Sequence, residues 1–212
     1  MNIITKIEVG KRNKERVNIY IDEEYAFSIS AELIYKENIK VKDKIDVDSL
    51  KKLADEDNYI KCKNTALKTI ERTYKSEKEL VQKLALKGYD DHIINRTINF
   101  MKEYNLLNDN NYATMYVKDK SRNIGKKKIK YSLLQKGIDE EIIESELEKI
   151  NNDEVKAIVY EMALKKYKVF SKRENDNYKL TQKLYRFLMG KGYGYDLIKD
   201  VVKSIVKSED FE

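Results

Sequence analysis

Proline and tryptophan are missing from this 212-residue chain, and cysteine and histidine occur once each. Each scarcity closes a class of function. Cys62 alone cannot form an internal disulfide or supply a cysteine-rich zinc site. His92 alone argues against a histidine-based metal centre and against a Ser-His-Asp triad. No stretch approaches the roughly 20 apolar residues of a membrane span. The opening residues, Met1 to Lys6, lack a basic segment followed by an apolar one, so no leader is read there. The expectation is a soluble, cytoplasmic protein in a reducing compartment. A chain of this length buries about 70% of its unfolded surface and needs no disulfide staples.

Charge, by contrast, is plentiful: 38% of the residues are charged, with 43 Lys+Arg against 37 Asp+Glu and a net charge of +6. Only seven of the basic residues are Arg, and Asn, Ile and Tyr are abundant. An AT-rich coding sequence produces that bias by itself. The location of the charges therefore says more than their total.

Residues 1–30 alternate with the period of strands. Ile3, Ile4, Ile7 and Val9 open a first one. Val17, Ile19 and Ile21 form a second, and Tyr25, Phe27 and Ile29 a third, with Asp22-Glu23-Glu24 as the turn between them. Residues 31–36 read as a short helical turn, with Val41 and Ile45 as a last strand fragment. A helix follows from about Asp48 to Asn58, with Asp48 or Ser49 as its cap and Leu50 and Leu53 facing inward.

From residue 60 onward the period is 3.6, and a repeat emerges. Leu84-Ala85-Leu86-Lys87-Gly88-Tyr89, Leu133-Leu134-Gln135-Lys136-Gly137-Ile138 and Leu188-Met189-Gly190-Lys191-Gly192-Tyr193 align without gaps. Four residues before each first Leu stands another aliphatic: Leu80, Ile129 and Leu184. After each Gly come the pairs Ile93-Ile94, Ile142-Ile143 and Leu197-Ile198, then Ile98, Leu147 and Val202, then Met101, Ile150 and Ile205. The aliphatics before the Gly make one stripe of a short helix. The Gly ends that helix in the left-handed conformation, and the Lys before it suits the negative helix end. A second amphipathic helix follows. A further helix precedes each pair, carrying Ala66, Leu67, Ile70 and Tyr74, then Tyr112, Ala113, Tyr116 and Val117, then Val155, Val159, Met162 and Ala163. Ser76-Glu77-Lys78-Glu79 fits a capping box, whereas the middle helix of the third repeat, beginning at Lys179-Leu180, shows no clear cap.

These residues resemble the RecX family of bacterial recombination regulators. Its first repeat typically reads Ser-Glu-x-Glu-Leu-x-x-Lys-Leu, matched by Ser76, Glu77, Glu79, Leu80, Lys83 and Leu84. Its repeat junction is matched by Leu107, Asn108, Asp109, Tyr112 and Ala113. Its second repeat is matched by Gly125, Ile129, Leu133, Lys136, Gly137 and Ile138. The strand region resembles the N-terminal extension of Gram-positive members. The resemblance implies a mainly α protein of three tandem three-helix repeats in an elongated curved array, preceded by a small β-hairpin or sheet. The expected divisions are residues 1–58 for the β region, ending in a short helix, then 59–108, 109–152 and 153–212 for the repeats. The resemblance further implies a monomer that is not an enzyme and needs no cofactor. It implies binding to the RecA recombinase filament on single-stranded DNA, with inhibition of its growth, ATPase and strand exchange.

Charge is segregated in a way that suits a charged partner. Residues 116–130 hold Lys118, Lys120, Arg122, Lys126, Lys127, Lys128 and Lys130 against Asp119 alone. The following stretch, 137–154, is strongly acidic, and 156–192 is basic again. The candidate interface for the filament or its DNA is therefore Lys118, Lys120, Arg122, Lys126, Lys127, Lys128, Lys130 and Lys136, with Tyr116 among them. Exposed N–H groups at a helix start near Gly125 would add to a phosphate or carboxylate site. The competing reading is a solvated lysine face balanced by the acidic helix after it. Tyr112 and Tyr131 lie among these cations, and Tyr193 and Tyr195 flank the last turn; each is either a stacking surface or filler of a small core. Asp90-Asp91-His92 and Asp139-Glu140-Glu141 invite a metal or acid–base reading, but both stand where a helix starts, and carboxylates there complement its positive end. The rival function is a nucleic-acid-binding module that needs no protein partner.

Overall fold

The computed structural model describes residues 2–11 and 14–209. The chain forms two compact units, Met1–Asn108 and Asp109–Glu212.

The first unit begins with β1 (Asn2–Val9), β2 (Arg16–Ile21) and β3 (Glu24–Ser30), then α1 (Ala31–Lys36) and the short β4 (Lys44–Ile45). They make an antiparallel sheet in the order β3-β2-β1-β4. A two-residue turn joins β2 to β3, and both of its residues, Asp22 (φ 49°) and Glu23 (φ 73°), are left-handed, as such hairpins require. Side chains hold this costly geometry. The Asp22 carboxylate accepts from the Ile3 N–H at 3.1 Å and from Asn2 Nδ2 at 2.8 Å, while the Glu23 N–H donates to Thr5 Oγ1 at 3.0 Å. The Ile3 N–H, then Asn2, lower the Asp22 pKa. That support is complete above the ordinary carboxylate pKa of about 3.9 and fades as pH falls through the lowered value. Ile4, Val17, Ile19, Ile21, Phe27 and Ile29 point into one core. Tyr25 does not join them: a register shift between Ile19 and Tyr20 turns it outward, and it is exposed.

Helix α2 runs unbroken over Val47–Arg72. The two helices read on either side of Asn58 are one, because neither Gly nor Pro interrupts residues 46–73. Its cap is Asp46 rather than Asp48 or Ser49; the Asp46 side chain accepts from the Asp48 N–H and from Ser49 Oγ. Leu50 packs on the sheet, but Leu53 faces solvent and Tyr74 lies exposed beyond the helix end. The N-terminal half of α2 lays Ala54 against the sheet core. The C-terminal half packs Cys62 and Ala66 against α3 (Glu77–Leu86) and α4 (Asp91–Glu103). One rigid helix thus carries both the sheet and the first repeat.

A buried arginine ties them further. Arg16 is 5% exposed; its Nε donates to Ser28 Oγ and its Nη2 to the Ser28 carbonyl, both at 3.1 Å. Nη2 also lies 3.5 Å from Asp90 Oδ2, and the guanidinium sits 5.2 Å from the Tyr89 ring centre. Asn58 of α2 donates to the same Ser28 carbonyl at 2.6 Å. Sheet, long helix and repeat thus all supply partners around Arg16 and Ser28, although the buried Arg16 Nη1 has no hydrogen bond among the described residues.

The second unit holds α5 (Asp109–Lys120), α6 (Lys126–Gln135) and α7 (Glu140–Glu148), then α8 (Asn152–Phe170), α9 (Asn177–Gly190) and α10 (Tyr195–Glu209). The repeated positions fill the cores. Leu80, Ile129 and Leu184 are fully buried, as are Leu84, Leu133 and Leu188. A buried alanine, Ala66, Ala113 or Ala163, lets the first helix of each repeat approach its neighbours. Gly88, Gly137 and Gly192 take φ of 85°, 81° and 87°. At each, the glycine N–H and the next N–H bond back to carbonyls of the preceding helix, as in Tyr193 N–H to Leu188 O and Gly192 N–H to Met189 O. This is the Schellman closure, in three copies. The capping box at Ser76 and Glu79 is present. The third repeat has a cap after all: Asp176 accepts from the Tyr178 and Lys179 N–H groups, because α9 starts at Asn177, earlier than Lys179.

The turn after α9 meets the start of α6 backbone to backbone. The Gly125 N–H donates to Lys191 O at 2.9 Å, and Lys128 Nζ reaches Gly190 O at 3.2 Å. A Cβ on Gly125 would stand 2.2 Å from Gly192 O, and one on Gly192 would stand 2.6 Å from Lys128 Cβ. The positive end of α6 therefore rests on carbonyls at the negative end of α9.

Two predictions follow from this packing. Arg16→Ala should lower unfolding stability by about 2 kcal/mol, since it strips partners from buried Ser28 and from Asp90. The denaturation midpoint should fall at constant m-value, and an unchanged midpoint would deny the guanidinium any net role. Gly125→Ala should cost ~2 kcal/mol or more through the collision with the Gly192 carbonyl. Gly190→Ala, with open space at its Cβ and a helical backbone, should instead gain ~0.5 kcal/mol. Equal effects at the two glycines would show that the backbone contact is not tight.

Candidate partner and nucleic-acid interface

The candidate residues lie on α5, on the 121–125 turn, on α6 and at its cap. They do not form one patch. Tyr116 is half-buried and stacks on buried Tyr112, with ring centres 6.1 Å apart and planes 20° apart. Lys136, the C-cap of α6, places its ammonium 5.7 Å from the Tyr112 ring and 5.9 Å from Tyr116. Lys120 lies 5.8 Å over Tyr116 and 2.8 Å from Asp119, whose hydrogen bond raises the Lys120 pKa. These three candidates thus make a small cation–aromatic cluster.

Lys130 turns away from any partner. Its ammonium bridges Glu140 at 2.6 Å and Glu144 on α7, and hydrogen bonds to those two carboxylates raise its pKa. Lys128 braces the α9 turn through Gly190 O. Lys118, Arg122 and Lys127 are exposed, Lys126 is half-buried, and the structure gives none of the four an ion pair among the described residues. Lys118 and Arg122 stand on one wall of a groove of about 490 Å³ whose other wall comes from the end of α7 and the start of α8.

One donor at the start of α6 is already taken. Gly125 is buried, and its N–H is already bonded to Lys191 O. The sequence marked a glycine before three lysines but carried no sign that a second glycine, far along the chain, closes on it.

Tyr193 is 4% exposed within the third core, and the Tyr195 ring lies tilted against Tyr185 with ring centres 5.9 Å apart. Tyr131 is exposed, its hydroxyl accepting from Gln135 Nε2 at 2.8 Å. The two acidic clusters are engaged within the protein, one by capping its own helix and the other by distant partners. Asp139 caps α7 by accepting from the Glu141 N–H at 2.8 Å. Asp90 faces Arg16, and His92 Nε2 lies 3.2 Å from Asp55 Oδ1 on α2. Burial pushes the Cys62 thiol pKa up. Among the described residues, no helix is long and apolar enough to cross a membrane.

Family models match nearly the whole chain in order. Residues 2–46 match the N-terminal domain of the regulatory protein RecX, and 62–101, 108–147 and 153–202 match its first, second and third three-helix domains. The chain is similar to the regulatory protein RecX of Clostridium botulinum (strain Eklund 17B / Type B), at 54% identity over 99% of both chains. It is similar to that of Clostridium perfringens (strain 13 / Type A), at 49% over the full length of both. Among solved structures, a crystal structure of regulatory protein RecX matches with a TM-score of 0.66 and 25% identity, over 94% of this chain and all of that one. RecX from Lactobacillus salivarius matches with a TM-score of 0.64 and 28% identity, over 71% of this chain and 97% of that one. With every domain matched and relatives this similar along its whole length, the chain belongs to the RecX family of regulatory proteins.

Proposed function

We propose that this protein binds the RecA filament on single-stranded DNA and restrains its growth, ATPase activity and strand exchange. It acts as a cytoplasmic monomer, by contact rather than by catalysis, and requires no cofactor. The observation that carries this reading is membership of the RecX family through all four of its domains. The cations available for contact in the second repeat support it: Lys118, Arg122, Lys126 and Lys127, with Lys120, Lys136 and Tyr116 beside them. DNA reading by a helix in a groove is disfavoured here. The third helix of the second repeat, α7, bears Glu140, Glu141, Glu144 and Glu148, which repel phosphate.

The test adds the protein to RecA filaments already formed on single-stranded DNA and follows ATPase activity over a salt series. Inhibition at substoichiometric protein is expected. Lys126→Glu/Lys127→Glu should weaken it about tenfold, a loss of ~1.4 kcal/mol. Acidic residues in the first turn of α6 favour the helix dipole, so this variant should stay folded. Preformed filaments left untouched by excess protein would overturn the proposal. A protein that merely competes for free DNA would instead show log affinity falling with log salt at a slope near −0.7 per phosphate contacted.

A further inference from the structure

The groove beside Lys118 and Arg122 combines three features. Its floor is aliphatic: buried Val117 with half-buried Ile150, Val155 and Ile158, drawn from α5, the α7–α8 connection and α8. One wall presents Lys118, on the last turn of α5, and Arg122 just beyond it, both exposed. The opposite wall is mixed: exposed Glu154 stands beside a Glu146–Lys149 pair, 2.5 Å apart, in which Glu146 is buried and Lys149 exposed.

We propose that this groove seats an acidic segment of the protein partner, with carboxylates on Lys118 and Arg122 and an aliphatic side chain on the floor. The proposal rests on the reading that the partner is a protein filament, and it names the chemistry recognised there. Two arguments separate a peptide from a DNA strand. A strand carries a negative charge at every nucleotide and would be driven past the exposed carboxylate of Glu154. A peptide can place its carboxylates on the basic side alone. A sugar–phosphate chain also gains little from four aliphatic side chains, whereas a buried aliphatic group gains about 25 cal/mol per Å². Arg122 suits this role, because a guanidinium binds a carboxylate through two parallel N–H bonds.

The experiment compares two affinities of the full-length protein, one for RecA filaments preformed on an oligothymidylate and one for that oligothymidylate alone. Three variants are used: Ile158→Ser, Ile158→Leu and Lys118→Glu/Arg122→Glu. Ile158 belongs to neither hydrophobic cluster of its unit, so its replacement spares the cores. Ile158→Ser removes apolar floor without changing charge. It should weaken filament binding about tenfold and leave oligothymidylate binding unchanged, while Ile158→Leu restores the wild-type value. The charge reversal should weaken filament binding by at least about tenfold. If Ile158→Ser binds filaments as the wild type does, the groove assignment is wrong. If the charge reversal lowers both affinities in parallel while Ile158→Ser changes neither, the basic wall reads phosphate and the assignment is again wrong. A wild-type protein inert toward filaments ends the functional reading as well, so the two failures are told apart.

Discussion

The contact between Gly125 and Gly192 is the constraint on which the second unit turns. Three short helices bury too little apolar surface to stand firmly alone, so neighbouring repeats must share structure. They do so here through bare backbone. Gly192 is left-handed, which ends α9 and aims its carbonyls outward. Gly125 lacks a Cβ where any side chain would collide with one of those carbonyls. The same absence of side chains that closes one repeat therefore admits the helix start of another. Lys128 adds a side-chain tie across the joint. The lysines after Gly125 are thus presented from a fixed point, and the groove floor is assembled from two repeats held at that point.

The charge pattern takes on a different meaning once partners are assigned. Seven cations between residues 116 and 130 look like one basic patch. In the folded chain the acidic helix α7 neutralises Lys130, Asp119 holds Lys120, and Gly190 O holds Lys128. Surface pairs of this kind contribute little stability, but the carboxylates offset the charges of Lys120 and Lys130, whereas Lys128, on a neutral carbonyl, keeps its own. What remains is concentrated in Lys118, Arg122, Lys126, Lys127 and Lys128, along the α5–α6 connection and the first turn of α6. The balanced lysine face describes Lys120 and Lys130, and the proposed interface draws on the rest.

The repeats were legible because their signals are local. An aliphatic stripe, a lysine–glycine stop and a second stripe lie within about 20 residues and recur in register. The alanines Ala66, Ala113 and Ala163 were read on the first helices but not as one repeated position, since they precede their glycines by different distances. The continuity of α2 was hidden for another reason. Its two halves serve different cores, so its apolar face shifts along its length and reads as two helices. Arg16 gave no sign at all: an arginine in an amphipathic strand looks like an exposed one until Ser28, Asn58 and Asp90 are brought around it. The groove is illegible in the same way, because Lys118 and Ile158 meet only through the packing of α5, α7 and α8.

The acidity of α7 links these observations. A three-helix unit whose last helix were basic would be drawn to any nucleic acid, with affinity set by salt rather than by partner. Glu140 and Glu144 instead clamp Lys130, and Glu146 pairs with Lys149 on the far wall of the groove, where Glu154 of α8 stands exposed. The helix thus confines attraction to one edge of the second repeat and penalises a continuous chain of phosphates beside it. Selection by repulsion of this kind costs the unit some affinity for every anion. It leaves the advantage to a partner whose negative charges are spaced to meet Lys118 and Arg122 and whose remaining surface is apolar.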